Sequence, residues 1–271
     1  MQADDLAAYL DRVGVVRPTA PDRAALAALQ WAHVRAIPFE NLDLVVAAAG
    51  ARSIAIDLPS IVGKLVRGGR GGYCFEHNTL FAAVLTELGY GVTALAARVR
   101  WLATAAMPRT HMLLAVDVPG DARCLVDVGF GGTNPTAPIA LTAGSVHSLH
   151  HDRYRLRAED GGLVLELELA GGVGTWSDLY WFTLEPHHPV DFEVANHYTS
   201  THPQSRFLAG PICALTTERG RLTVRGGEIQ RRTRDGVERE PLTDGERLLE
   251  VLATEFGLVF RSGTRFRGGP P

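Results

Sequence analysis

Apolar residues recur at helical spacing through the first ninety residues of the chain. Leu26 and Leu29 share one face of a predicted helix, which Pro38 brings to an end. A later helix begins at or near Cys74 and ends at Gly89, a residue suited to the left-handed conformation of a C-terminal cap. The pattern predicts helices over about residues 6–13, 23–35, 61–66 and 74–89. We therefore expect an N-terminal helical bundle.

The pattern changes at Val92, where short apolar and β-branched segments begin to alternate with turn residues. Pro119, Gly120 and Asp121 form one such turn by their chemistry. The segments predict strands over residues 92–99, 111–118, 124–130, 153–156, 163–169 and 181–184. Together they indicate an antiparallel barrel or sandwich.

Both patterns occur in the last seventy residues. Strands are predicted over residues 214–217 and 221–225, and a helix over about 244–255 that Thr243 and Glu246 open as a capping box. The fold class is therefore predicted to be α+β in three parts. These are an N-terminal helical bundle (1–90), a central antiparallel β-barrel (91–200) and a C-terminal α/β lid (201–271).

Composition and charge narrow the classes of partner and compartment. Of the 271 residues, 46% are hydrophobic, and 27 basic and 30 acidic residues give a net charge of −3 without a block of either sign. Nucleic acid and anionic membranes are therefore not expected as partners. The N-terminus lacks a basic segment followed by an apolar run, and no stretch approaches the roughly 18 apolar residues of a membrane span. We expect a cytoplasmic protein that does not enter a membrane.

The chain contains three cysteines, Cys74, Cys124 and Cys213. An odd number in a chain of this size argues against a disulfide framework and against a four-ligand zinc site. Five histidines, at positions 147, 150, 151, 187 and 188, lie in loop-like sequence without carboxylates at ligand spacing. No metal is predicted, and each cysteine has to be explained as a thiol.

Cys74 has the setting of a nucleophile. Gly71 and Gly72 lead into it at the start of a predicted helix, where unpaired N–H groups and the positive end of the helix dipole favour a thiolate. A buried thiol at a tight turn is the competing interpretation. The presence or absence of partner residues decides between the two.

His111 and Asp127 are the candidate partners. A nucleophilic thiol needs a base and a third group that orients the base. His111 opens one apolar strand and Asp127 lies inside the next, where an unpaired carboxylate would be costly. A three-residue loop over 119–121 would place Asp127 opposite Leu113, diagonal to His111. A strand-end histidine and a structural ion pair remain the alternative interpretations when each residue is taken alone.

The stretch from Arg70 to Asn78 reads Arg-Gly-Gly-Tyr-Cys-Phe-Glu-His-Asn and resembles the signature of the arylamine N-acetyltransferases, Arg-Gly-Gly-x-Cys-x-Glu-x-Asn. Family-like blocks follow the same order along nearly the whole chain, at residues 37–42, 110–113, 126–132, 182–186, 196 and 200–207. The resemblance implies a catalytic core related to papain-like and transglutaminase enzymes. It also implies acetyl-CoA as cosubstrate and ping-pong transfer through Cys74 to arylamines, hydrazines or N-hydroxyarylamines, with His111 moving the proton and Asp127 orienting it.

The resemblance also implies the walls of the substrate site. The expected substrate-binding and CoA-binding residues are Phe39, Tyr73, Trp101, Thr110, Phe130, Gly131, Gly132 and Phe207. An aromatic slot suits a flat apolar amine. Gly129, Gly131 and Gly132 are expected to let the backbone approach the pantetheine arm closely, and Glu40 and Arg70 are expected to pair as structural support.

Other interpretations remain open at this point. The same three residues are compatible with a thiol hydrolase or peptidase, with an amide synthase of a macrolactam pathway, or with an inactive binding module. Whether copies of the chain form a homo-oligomer is left open. Two interpretations are open for a late cluster, Arg231, Arg232, Arg234 and Arg239. One or more of these arginines hold the CoA phosphates, or the cluster is a solvated charged hairpin around Asp235.

Overall fold

The computed structural model describes residues 1–46, 53–169 and 174–271. The helices in these ranges are α1 (Ala3–Val13), α2 (Arg23–Ala36), α3 (Leu42–Val45), α4 (Leu58–Ile61), α5 (Cys74–Glu87), α6 (Pro189–Thr201) and α7 (Gly245–Phe256). The strands are β1 (Phe39–Glu40), β2 (Gly91–Val99), β3 (His111–Asp117), β4 (Cys124–Val126), β5 (Ile139–Ala140), β6 (Val146–Ser148), β7 (Arg153–Glu159), β8 (Gly162–Glu168), β9 (Trp176–Phe182), β10 (Ile212–Thr216), β11 (Gly220–Arg225), β12 (Glu228–Thr233) and β13 (Gly236–Pro241).

Local signals fix the ends of the N-terminal helices. The Asp22 carboxylate accepts a hydrogen bond from the Ala25 N–H at 2.8 Å and caps α2. The predicted helix over 61–66 differs from the structure, because Asp57 caps a helical turn that begins earlier, at Leu58. That turn continues as a wider π-helical segment over Val62–Arg67.

One sheet has eight strands in the order β5-β4-β3-β2-β9-β8-β7-β6, all antiparallel, and curls into a nearly closed barrel. Leu113 and Ala115 of β3 point into the barrel, whereas Met112 and Leu114 belong to the core shared with the helices. Strand β3 is buried on both faces, and this explains its continuous apolar sequence.

The register between β3 and β4 confirms the predicted turn. Leu114 pairs with Val126 and Val116 pairs with Cys124, which leaves the three residues 119–121 at the turn. By this register Asp127 follows opposite Leu113, on the inward side of the sheet. Strand β4 ends at Val126 rather than continuing to residue 130 as predicted.

The second sheet has five strands in the order β1-β10-β11-β12-β13. Its first strand comes from the N-terminal helical segment, since Phe39 pairs with Ala214 and Glu40 with Cys213. Helix α7 is capped by Asp244, whose carboxylate accepts from the Arg247 N–H at 2.9 Å, so the predicted cap at Thr243 is wrong by one residue. Of the helices in the described ranges, none combines the length and apolar composition that crossing a bilayer requires.

Candidate active site

Cys74 is the first residue of α5, and two glycines bring the preceding loop close to neighbouring backbone. A side chain at Gly71 would lie 2.0 Å from the Pro38 carbonyl oxygen, and one at Gly72 would lie 2.5 Å from the Glu76 carboxylate. The loop can therefore pass here only without side chains at these two positions. The Cys74 side chain is 4% exposed, with its sulfur 3.7 Å from the Thr110 carbonyl oxygen.

His111 and Asp127 meet within the barrel. The His111 Nε2 atom lies 2.7 Å from Asp127 Oδ2. The other ring nitrogen, Nδ1, remains available to the thiol of Cys74, which lines the same cleft as His111. The structure thus brings together the three side chains that sequence spacing had selected.

Three further donors hold the Asp127 carboxylate. Asn78 Nδ2 donates to Oδ1 at 3.1 Å, the Gly129 N–H donates to the same oxygen at 2.9 Å, and the Tyr180 hydroxyl donates to Oδ2 at 3.0 Å. A carboxylate that accepts this many hydrogen bonds is fixed in both position and ionisation state. Its orientation in turn fixes the His111 ring.

Electrostatics favour a charged pair. Burial alone would lower the pKa of His111, but the adjacent Asp127 carboxylate and the contact with Cys74 raise it to about 9. Burial would raise the pKa of Asp127, but the His111 charge and the hydrogen bonds keep it below its ordinary value. At neutral pH His111 is therefore an imidazolium beside the Cys74 sulfur.

Cys74 and His111 open into a cleft of about 760 Å³ that runs between the two sheets. Among the predicted site residues, those that line it are Phe39, Cys74, Trp101, Thr110, His111, Phe130, Gly131, Gly132 and Phe207. The barrel and the loop after β2 add mostly apolar side chains, Val99, Leu102, Met107, Leu167 and Leu169. The second sheet adds polar and cationic residues.

Tyr73 is the exception among the predicted walls. It is 1% exposed and does not line the cleft, because its ring points into the helical core and its hydroxyl donates to Asn196. Its ring centroid lies 5.8 Å from that of Phe207, edge to face. Tyr73 therefore supports a cleft wall from behind, which corrects its predicted role.

Comparisons with known proteins agree with this geometry. A family model described as N-acetyltransferase matches residues 22–264. An arylamine N-acetyltransferase of Mycobacterium tuberculosis is 41% identical over 258 residues, covering 94% of this chain and 89% of the relative. The chain belongs to the arylamine N-acetyltransferase family. Its members are acyltransferases, and this chain is an enzyme of that class.

Two further relatives are similar to this chain over most of their length. The structure of the Mycobacterium marinum arylamine N-acetyltransferase in complex with CoA matches with a TM-score of 0.86 at 38% identity, covering 93% of this chain and 92% of that one. The proansamycin X synthase of Amycolatopsis mediterranei is 31% identical over 245 residues, covering 86% of this chain and 92% of the relative.

The arginine and glutamate of the family-like motifs belong to a second buried network. Arg70 donates to Glu40 at 2.7 Å and to Asp43 at 2.9 Å. Lys64 continues the chain, with its Nζ atom 2.7 Å from Asp43 and 2.8 Å from Glu76. The predicted pair of Glu40 and Arg70 is thus the first link of five alternating charges. None of the five lines the cleft.

This network reaches the nucleophile loop through Glu76. The Glu76 carboxylate accepts from the Tyr73 N–H at 2.9 Å, one residue before Cys74. Burial raises the pKa of Glu76 to about 7, although the Lys64 ammonium opposes that shift. The network therefore anchors the first turn of α5 rather than touching a substrate.

Sequence reasoning missed Asn78, Tyr180 and the true role of Gly129. A side chain at Gly129 would lie 2.8 Å from the Cys74 Cα atom and 2.7 Å from Asn78 Nδ2, so its close approach is to α5 and not to a ligand. Asn78 is part of the recognised signature, and that position was a usable signal. Nothing in the sequence distinguishes Tyr180 from the other aromatic residues of the barrel.

The remaining thiols and histidines are placed away from this chemistry. Cys124 and Cys213 are buried, and burial raises the pKa of both thiols. In the described ranges no group of three or more histidine, cysteine, aspartate or glutamate side chains is arranged to hold a metal ion.

Proposed function

We propose that this chain transfers an acetyl group from acetyl-CoA to arylamines, hydrazines or N-hydroxyarylamines through a thioester on Cys74. The observation that carries the proposal is that Cys74 and His111 line one cleft and that Asp127 lies 2.7 Å from the His111 ring. The CoA-bound structure of a relative supports CoA as the carrier of the acyl group.

In the first half-reaction the Cys74 thiolate attacks the acetyl carbonyl carbon of the donor. The thioester bond to CoA then breaks, and the CoA sulfur leaves with the proton held on His111. The exchange of one thioester for another is nearly isoenergetic, so the acetyl group remains reactive. Asp127 keeps the imidazole oriented throughout this step.

In the second half-reaction the amine nitrogen attacks the acetyl carbon on Cys74. His111, now neutral, takes the proton from the nitrogen, and the Cys74 sulfur leaves as a thiolate. A weakly basic aromatic amine suits this step because it is uncharged at neutral pH. The apolar and aromatic walls around Phe130 and Trp101 favour such an acceptor.

The proposal extends to the architecture. The nucleophile on a helix, the histidine on strand β3 and the aspartate directly after the adjacent strand β4 support a papain-like or transglutaminase-like core. The functional parts are a helical bundle (1–90), a β-barrel (91–200) and an α/β lid (201–271). The substrates are small molecules, and we propose that the enzyme works in the cytoplasm.

Steady-state kinetics test the proposal. Initial rates with varied acetyl-CoA and arylamine should give parallel double-reciprocal lines, and radiolabelled CoA should exchange into acetyl-CoA without amine. Intersecting lines and no exchange would exclude a free acetyl-enzyme. Cys74→Ser should remain folded and lose measurable transfer, because a serine hydroxyl is not ionised by this environment.

The same assays separate the alternatives. Release of free acetate as fast as amine acetylation would identify a thiol hydrolase. Acylation only from carrier-bound polyketide chains would identify an amide synthase. The higher identity to the Mycobacterium tuberculosis enzyme favours acetyl transfer.

A further inference from the structure

The cleft-facing side of the second sheet carries a row of polar residues. Side chains alternate along paired strands, so residues opposite one another in register share a face. Arg225 stands opposite Glu228, Thr223 opposite Gln230, and Gln230 opposite Arg239. All five line the same cleft as Cys74, and Arg206 joins them from the short helical turn Arg206–Leu208.

Most arginines of the second sheet already contact a carboxylate. Arg221 and Arg232 both bind Asp152, at 2.9 and 2.7 Å. Arg231 binds Glu240 at 2.9 Å. Arg231 does not line the cleft, which removes it from the predicted phosphate site. Arg232 does line the cleft, and its Nη2 atom has no partner in the described ranges, so it remains a secondary donor beside the site.

The other two residues of the predicted cluster, Arg234 and Arg239, also have partners within the protein. Arg234 donates to the His150 carbonyl oxygen at 2.9 Å and does not line the cleft. Arg239 lines the cleft but pairs with Glu228 at 3.3 Å. Glu228 stands opposite Arg225 in the sheet, so its carboxylate is already engaged by Arg239. The charge run visible in the sequence is therefore largely satisfied within the sheet.

Arg206 and Arg225 differ from all of these. In the described ranges neither side chain forms a hydrogen bond or a salt bridge, and residues 47–52 and 170–173 contain no aspartate or glutamate that could supply one. Arg206 is half-buried, and burial together with the nearby charge of Arg225 lowers its pKa. Two unneutralised cations facing one cleft are stabilised when an anion joins them.

We propose that Arg206 and Arg225 form an anion site that binds phosphate groups of the acyl-CoA donor. Guanidinium groups bind phosphate oxygens in bidentate fashion and remain charged at all relevant pH values. Thr223 and Gln230, which line the cleft beside them, offer a hydroxyl and an amide donor. The site would hold the nucleotide end while the thioester reaches Cys74. This inference rests on the function proposed above.

The test compares two acetyl donors that differ in their phosphates. In the double variant R206A/R225A, kcat/KM for acetyl-CoA should fall by about tenfold to 100-fold, as expected for lost charge-assisted contacts. The ratio of kcat/KM for acetyl-CoA over that for a phosphate-free small thioester should fall by the same factor. R206K/R225K, which keeps the charge but not the fork, should recover part of the loss.

The matched control is Arg153→Ala, an exposed barrel arginine paired with Glu168, for which the ratio should not change. Adenosine 3′,5′-bisphosphate and inorganic pyrophosphate should each compete with acetyl-CoA in the parent and lose affinity in R206A/R225A. Comparing the two ligands identifies whether the 3′-phosphate or the diphosphate is held.

An unchanged donor ratio in R206A/R225A, with unchanged competition, would overturn the anion site while leaving acetyl transfer intact. A parent enzyme that accepts acetyl from neither donor would instead overturn the proposed function. An equal fall for both donors would also count against the site, because it would indicate a general distortion of the cleft.

Discussion

Helix α5 contributes to two buried ionic networks that differ in composition and in access. In the first network, Asn78 of α5 donates to Asp127, and Asp127 pairs with His111, which lines the cleft. Glu76 leads to Lys64 and onward through the alternating charges to Glu40, none of which reaches the cleft. Both networks include buried charges, Asp127 and His111 in the first and Glu40 and Glu76 in the second. Only the first network places a group that can transfer a proton, His111, at the cleft, and this makes it the catalytic one.

The same aspartate-to-asparagine substitution in each network should give the largest difference in activity. Asp127→Asn should lower the acetylation rate on the order of 10³-fold or more, because the imidazole loses its orienting anion and an amide replaces an acceptor. Asp43→Asn, the matched change in the second network, should cost less than about tenfold. Both rates are measured at saturating donor and amine.

Circular dichroism and the melting temperature should show that these variants remain folded. If the Asp127 variant keeps a rate within about tenfold of the parent, Asp127 has no part in the mechanism. Tyr180→Phe, which removes one hydrogen bond from the same carboxylate, should have an intermediate effect.

Stability should respond in the opposite order. Lys64→Met leaves the Glu76 and Asp43 carboxylates without their shared cation, so the free energy of unfolding should fall by about 2–3 kcal/mol. Acetylation by the folded fraction should change far less than in the Asp127 variant. Urea denaturation gives the free energy. Arg153→Met, at an exposed ion pair, is the control and should shift it by less than about 1 kcal/mol.

The two networks should change the free energy of unfolding in two different pH ranges. The pKa of Glu76 is raised to about 7 and that of His111 to about 9. Between the ordinary and the raised pKa of each group, the folded state binds more protons than the unfolded chain. The free energy of unfolding therefore falls as pH rises through that range. Glu76 acts between its ordinary value, about 4.3, and 7, and His111 between about 6.5 and 9.

Denaturation across pH in single variants checks these windows. Glu76→Gln should flatten the slope in the lower window, and Asp127→Asn should flatten it in the upper one. The His111 ring resonances should titrate near pH 9 in the parent. A His111 midpoint near pH 6.5 would contradict the charged pair.

Much of the catalytic arrangement could be predicted because it depends on local rules. The turn chemistry of residues 119–121 and the two-residue period of strands placed Asp127 diagonal to His111. Tyr180 could not be predicted, because it reaches Asp127 across strands that are 53 residues apart in sequence. Helix α6 was missed because its mixed apolar and polar residues follow no clear helical stripe.

The arginines illustrate the same limit. Arg231, Arg232 and Arg234 form the visible charge run, but their partners come from distant segments such as Asp152. Arg206 and Arg225, which line the cleft and have no carboxylate partner in the described ranges, are inconspicuous in the sequence. Which cations remain available to a ligand is a property of tertiary pairing and cannot be read from charge density.

The proposed mechanism requires a covalent acetyl group on Cys74, which intact-protein mass spectrometry can detect. After incubation with acetyl-CoA the parent should gain the mass of one acetyl group, located by peptide mapping on Cys74 and not on Cys124 or Cys213. Addition of an arylamine should remove that mass and yield the N-acetyl amine in equal amount. An enzyme that acetylates the amine while Cys74→Ala does so equally well, with no adduct in the parent, would contradict the proposed mechanism.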